Sequence, residues 1–119
     1  FTQKHLDRFG NVPIMRLAEM HLIRAEANFR LGTTVGAAPL ADINAIRARA
    51  GATALTEVTI ADILKERKLE LAFEGHTLHD IKRLKGKVGA LDFNSPRLIF
   101  PIPQREIDAN KQLTQNVGY

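Results

Sequence analysis

The sequence predicts a mainly α-helical fold. Two observations carry that prediction. Apolar residues recur every three or four positions over 14–31, 40–50 and 60–74, and each stretch is bracketed by residues that start and stop helices. The expectation is about four longer helices, short turns near the C-terminus and no sheet larger than a hairpin. The 119 residues are read as a single helical domain, 1–119.

The first helix is expected over 14–31. Gly10-Asn11 marks a turn before it, Pro13 suits its first position and Gly32 its C-terminal stop. On a helical wheel, Ile14, Met15, Ala18, Leu22, Ala25 and Phe29 form one apolar arc, and Leu17, Met20, Ala27 and Leu31 form a second. Two arcs imply a helix packed between neighbours. Arg16, Glu19, Glu26 and Arg30 share the polar side, with Glu26 and Arg30 as an i,i+4 pair. His21 and Asn28 fall between the arcs, and His21 reads as a hydrogen-bonded core histidine.

Pro39 and Gly51 bracket the second helix. Leu40, Ile43, Ile46 and Ala50 keep helical spacing, and Ala41, Ala45 and Ala48 are small enough for close approach to the first helix. The pair resembles one tetratricopeptide unit, although no second copy follows at a fixed period. One such unit makes no solenoid.

Thr59 and Asp62 read as an approximate capping box for a third helix running to Glu74. Ile60, Leu64 and Leu71 are its expected core face. Gly75 can take the left-handed conformation that ends it, so it is read as a bend before a shorter helix that starts near Thr77. Leu78, Ile81 and Leu84 lie on one face of that helix. Beyond it, Leu98-Ile99-Phe100 reads as an extended apolar strip lying on the core. Pro101 and Pro103 bar it from a central strand. A short turn, 104–109, and an amide-rich tail close the chain.

The chemistry is concentrated in the third helix. Glu66, Glu70 and Glu74 stand at i, i+4 and i+8, where like charges repel. The stripe therefore calls for cations: Arg67 lies beside it, and Arg47, Arg49, Lys82 and Arg83 are the candidates from other helices. Arginine–carboxylate pairs tolerate burial where lone charges do not.

Catalytic readings are weaker. A zincin needs H-E-x-x-H on one helix, and the phosphate-binding and nucleophile-elbow glycine motifs are also absent. His76, His79 and Asp80 are near in sequence. On a helix, however, adjacent residues point about 100° apart, and a bend at Gly75 turns Glu74 away. No metal and no cofactor are expected. With no cysteine, disulfides and thiolate metal sites are excluded. The formal charge of +4 is modest, and the cluster Lys82, Arg83, Lys85 and Lys87 lacks the aromatic residues that stack on bases; no nucleic-acid partner is expected. No apolar run approaches the roughly 20 residues of a membrane span. No signal peptide is visible. The start at Phe1 suggests a processed protein or a piece of a longer one.

Five segments in order, "RLAEMHLIRAEA", "INAIRARAG", "ILKERKLELAFEGH" with "DIKRL", "LIFPIPQREIDAN" and "LTQNVGY", resemble the C-terminal region of SusD/RagB-type proteins. The resemblance runs from Val12 to Tyr119. Glu66-Arg67, Glu70-Leu71 and Phe73-Glu74-Gly75 match the family's E-R-x-x-E-L-x-F-E-G, and Asp80 and Arg83 its D-x-x-R. Thr77-Leu78-His79 stand where the family has an arginine and an aromatic pair. Asn110-Lys111 and Asn116-Val117 stand where it has Asn-Pro, which marks a divergent member.

The resemblance implies a C-terminal fragment of a longer helical protein. That parent is a surface-exposed outer-membrane lipoprotein of Bacteroidetes-type bacteria, held to the membrane only through a lipid anchor absent from this chain. It captures glycans or peptides with loop aromatics elsewhere and works with a TonB-dependent SusC-like transporter. The present segment is then non-catalytic scaffold. Glu66, Arg67, Glu70, Glu74, Asp80 and Arg83 form a structural ionic network that locks the bend at Gly75. Two rival readings are a free-standing helical adaptor that binds a peptide in its helix-pair groove and a metal-dependent hydrolase using His76, His79 and Asp80.

Overall fold

The computed structural model describes Lys4, Leu6, Asp7 and residues 9–11 and 14–119. It is mainly helical, with a single two-residue hairpin among the described residues. The chain forms two compact units, Phe1–Glu74 and Gly75–Tyr119.

The first unit holds α1 (Leu17–Leu31), α2 (Pro39–Arg49) and α3 (Ile60–Glu70). α1 starts later than the periodicity predicts. The backbone is extended at Arg16 (φ −130°, ψ 148°), so Ile14 and Met15 stand outside the helix and exposed. Pro13, expected at the helix start, lies outside the described residues. Gly32 is left-handed (φ 65°), and the Thr33 N–H reaches back to the Asn28 carbonyl at 2.9 Å, closing the last turn as a Schellman-type cap does. Pro39 opens α2 at its first turn, and a full Thr59–Asp62 capping box opens α3.

α1 packs against both α2 and α3. The core is Leu22, Ala25, Ile43, Ile46, Ile63 and Leu71, with Leu55 and Val58 against it. Of the first arc of α1, Ala18, Leu22 and Ala25 are buried and Phe29 is exposed, and none of the second arc is buried. Leu17, Met20, Ala27 and Leu31 face outward, contrary to the expectation of a helix packed on two sides. Ala41, Ala45 and Ala48 of α2 are exposed too. The buried residues of α2 are instead Ile43 and Ile46, which share the core cluster with Leu22 and Ala25 of α1. On α3, Ile63 is the fully buried residue, and Ile60 and Leu64 are half-buried.

α3 ends at Glu70, before the expected Glu74. The next residues turn, and Phe73 takes a left-handed φ of 65°. Its ring is 73% exposed rather than buried in a helix.

The second unit begins at Gly75, left-handed at φ 82°, directly before α4 (His76–Arg83). A hairpin follows, β1 (Lys87–Val88) with β2 (Leu91–Asp92), antiparallel with Val88 opposite Leu91. Gly89 in its turn has φ 59°. A 3₁₀ turn spans Pro96–Leu98, and α5 spans Gln104–Ala109. Between them Ile99 and Phe100 are exposed, so the expected apolar strip does not bury its larger side chains. The amide-rich tail satisfies this segment's backbone. Gln115 accepts the Ile102 N–H at 2.8 Å and donates to the Ile102 carbonyl at 2.9 Å, and the Asn116 amide donates to the Phe100 carbonyl at 2.7 Å. Pro101 and Pro103 have no N–H to offer, so Ile102 carries the one donor of the Pro-Ile-Pro run, and Gln115 takes it. No helix of the described residues is long and apolar enough to cross a membrane.

Candidate functional site

The densest polar cluster gathers on the glutamate stripe at the end of α3. Its hub is Arg16, at the N-cap of α1. Arg16 Nε donates to Glu74 Oε2 at 3.0 Å and Nη2 to Glu74 Oε1 at 2.8 Å. Nη1 donates to Glu70 Oε1 at 2.8 Å, and Nη2 also reaches the Glu70 carbonyl at 3.1 Å. Arg49 of α2 pairs with the other Glu70 oxygen. Lys4 adds a third cation, donating to the Glu70 and Ala72 carbonyls at 2.6 and 2.9 Å and pairing with Glu74 at 2.6 Å. These carbonyls lie at or just beyond the C-terminus of α3, where a helix carries its partial negative charge.

The rest of the stripe is matched in the same way. Arg47 of α2 pairs with Glu66 at 2.9 Å and donates to the Thr53 carbonyl at 2.7 Å. Arg67 pairs with Glu19 of α1 at 3.5 Å, and Glu66 and Arg67 are both buried. In the second unit Asp80 and Arg83 pair with each other at 2.8 Å along α4. Lys82 donates to the Leu98 carbonyl at 3.3 Å. Arg16 and Lys4, which sequence reasoning had not assigned to the stripe, come to it from 58 and 66 residues away.

A second buried cluster gives His21, which the sequence reads as hydrogen-bonded, its partner; the parts of Asp42 and Arg24 in it were not legible in the sequence. Asp42 of α2 is 2% exposed and faces α1. Arg24 grips it with two nitrogens, Nε to Oδ2 at 2.8 Å and Nη2 to Oδ1 at 2.6 Å, and His21 Nδ1 bonds Oδ1 at 2.7 Å. The available signal was an acid on the same α2 face as Ile46, four residues on, with His21 and Arg24 one turn apart on α1. Asn28 forms a third. Its amide donates to the Val35 and Ala37 carbonyls at 3.0 Å each, and its oxygen accepts from the Thr33 hydroxyl and the Val35 N–H at 2.7 and 3.1 Å. This ties the α1–α2 loop to the end of α1.

The electrostatics follow from these contacts. Burial works to raise the Glu70 and Glu74 carboxyls. Hydrogen bonds and charge from Arg16, with Arg49 at Glu70 and Lys4 at Glu74, outweigh it and hold both below the ordinary 4.5. Asp42 is likewise held low: burial opposes, and Arg24 and His21 prevail. The Arg16 guanidinium is raised, chiefly by its bonds to Glu74 and then, against burial, by Glu70. Carboxylates held ionised by arginine are poor proton donors near neutral pH, so the arrangement suits cohesion better than acid–base chemistry. Among the described residues no three of His, Asp and Glu gather closely enough to hold a metal ion.

Comparison with known proteins places these features in a family. The SusD family model matches residues 7–95. The starch-binding protein SusD of Bacteroides thetaiotaomicron is 35% identical over 92% of this chain and 22% of its own length. A SusD-like protein of Formosa agariphila is 32% identical over 92% of this chain and 25% of its own. The crystal structure of a SusD-like protein from Bacteroides fragilis superposes with a TM-score of 0.58 at 31% identity, over 89% of this chain and 25% of that one. The chain therefore spans about a quarter or less of these relatives. With the family model covering the three packed helices, their charged stripe and α4, the chain belongs to the SusD family.

Proposed function

We propose that these residues are a non-catalytic structural portion of a longer cell-surface glycan- or nutrient-binding lipoprotein. That parent works at the outer membrane with a TonB-dependent SusC-like transporter. The observation that carries the reading is family membership over residues 7–95, together with a relative whose name is starch-binding protein. It also favours this reading over a free-standing peptide-binding adaptor.

Within that protein the cluster of Glu66, Arg67, Glu70 and Glu74 acts as a fold-holding network. In the first unit its ion pairs join α3 to the N-cap of α1, to α1 itself and to α2, so each pair joins elements that are distant in sequence. Asp80 and Arg83 hold the α4 turn, and Gly75 sets the chain direction into it.

Aromatic supply bears on where the ligand binds. Flat rings are the usual platform for sugars, burying apolar area while hydroxyls keep their hydrogen bonds. Phe29, Phe73 and Phe100, whose helical or apolar surroundings in sequence predict burial, are exposed, as are Phe9 and Tyr119. Phe9, Phe29 and Phe73 belong to one unit, and Phe100 and Tyr119 to the other. The reading expects the ligand site elsewhere in the parent. Titration calorimetry with starch-type oligosaccharides and a panel of other glycans tests it. The whole polypeptide should bind one of them, and the 119-residue chain alone should release no binding heat. Tight binding by the chain alone, abolished by Phe73→Ala or Phe100→Ala, would place the site here.

A further inference from the structure

In the second unit the amide-rich tail crosses the Pro-Ile-Pro strip in a fixed direction. Gln115 bonds to Ile102, Asn116 to Phe100 and Tyr119 to Arg97, so the partner's number falls as the tail's rises. That is the order of an antiparallel pair of strands. The ladder itself is missing. Among the described residues no backbone–backbone hydrogen bond joins 111–119 to 96–103. Pro101 and Pro103 have no N–H to give to one, and side-chain amides stand in its place.

Most of the hold passes through one side chain. Gln115 Oε1 accepts the Ile102 N–H at 2.8 Å and its own neighbour's, the Asn116 N–H, at 2.9 Å. Its Nε2 donates to the Ile102 carbonyl at 2.9 Å, and Asn116 Nδ2 donates to the Phe100 carbonyl at 2.7 Å. The Tyr119 hydroxyl makes only a long bond, 3.4 Å, to the Arg97 carbonyl. Apolar burial adds little. Over 111–119 only Gln115 and Asn116 are half-buried, and Leu113, Val117 and Tyr119 are exposed. A segment with few buried apolar contacts and few backbone bonds opens at a lower free energy than the fold as a whole.

We infer that residues 111–119 are a strap latched by Gln115, which opens and recloses as one unit while α4 stays folded. Opening bares the Phe100 carbonyl and both backbone polar groups of Ile102 to water. α4 keeps its own intrahelical bonds, and the turn after it closes on the same helix, Leu84 N–H to the Asp80 carbonyl at 3.0 Å and Gly86 N–H to the Ile81 carbonyl at 2.8 Å.

Hydrogen exchange read at single amides of the whole protein tests this. The Ile102 and Asn116 amides share one acceptor, so their protection factors should agree within about three-fold and lie at least about ten-fold below those of 80–83 in α4. Gln115→Ala should abolish the protection of both and leave 80–83 unchanged. Gln112→Ala, an exposed position in the same tail, should change none of them. Ile102 and Asn116 exchanging as slowly as 80–83 would overturn the inference, because the tail would then open only together with the helix. A Gln115→Ala protein that keeps Ile102 protected removes the latch. One that strips protection from 80–83 as well shows that the tail is not a separate unit. Loss of Ile102 protection in Gln112→Ala equal to that in Gln115→Ala overturns the assignment to Gln115.

Discussion

Arg16 and Glu74 form a two-pronged pair across 58 residues of sequence, with both prongs at 3.0 Å or less. The same guanidinium also holds Glu70, so one side chain ties the start of α1 to the end of α3. A fork with fixed donor directions can do this; a lysine ammonium offers charge without the planar match.

Arg16→Ala should therefore destabilise the protein by about 3 kcal/mol, because it leaves two largely buried carboxylates facing each other without their shared cation. Arg67→Ala should cost a similar amount, about 3 kcal/mol, for its buried pair with Glu19. Arg49→Ala should cost under about 1 kcal/mol, since that side chain is mostly in water. Urea unfolding of the three variants measures the order. An Arg16→Ala midpoint equal to the parent's would reduce the cluster to a solvated face.

Stability should fall in acid. Glu70, Glu74 and Asp42 all have folded-state values below their ordinary 4.5, 4.5 and 3.8. A carboxyl depressed by folding contributes stability that is fully present above its unfolded value and is lost as pH falls through the folded one. The expected profile is flat near neutrality and drops below about pH 4.5. Thermal midpoints measured across that range check it, and Arg16→Ala should flatten the drop.

Asn28→Ala should cost about 2 kcal/mol. The variant removes four hydrogen bonds and leaves the Val35 and Ala37 carbonyls without their donor. Hydrogen exchange is the informative readout: faster exchange confined to 33–37 and the last turn of α1 is expected. Unchanged exchange there would show that the loop holds without its asparagine.

Gly75→Ala should cost about 1 kcal/mol, from the left-handed backbone alone. A methyl group at this position meets no atom within 4 Å, so no clash adds to it. Gly75→Asn should cost less, because asparagine tolerates that region better. A far larger loss in both variants would point to a requirement at Gly75 beyond its φ.

Local chemistry made several elements readable from the residues in order. Pro39, Gly32 and the Thr59–Asp62 box act through their own dihedrals and nearest amides, so the helix limits they set need no distant partner. The helical class followed from the same periodicities, and five short segments in order pointed to the family. The glutamate stripe was visible because three like charges at helical spacing demand cations. Which cations answered was settled by tertiary packing: Arg16 and Lys4 lie in segments whose path to α3 no local pattern encodes. Asp42 carries no local signal of its own, and its role appears only where α1 brings Arg24 and His21 against it. α3 stopped at Glu70, short of the periodic pattern's end, where Arg16 and Lys4 take the Glu70 carbonyl and Lys4 the Ala72 carbonyl just beyond. Periodicity tells which residues share a face; only the packed neighbours decide which face is buried, because burial is a property of two surfaces and the sequence of one helix describes a single surface.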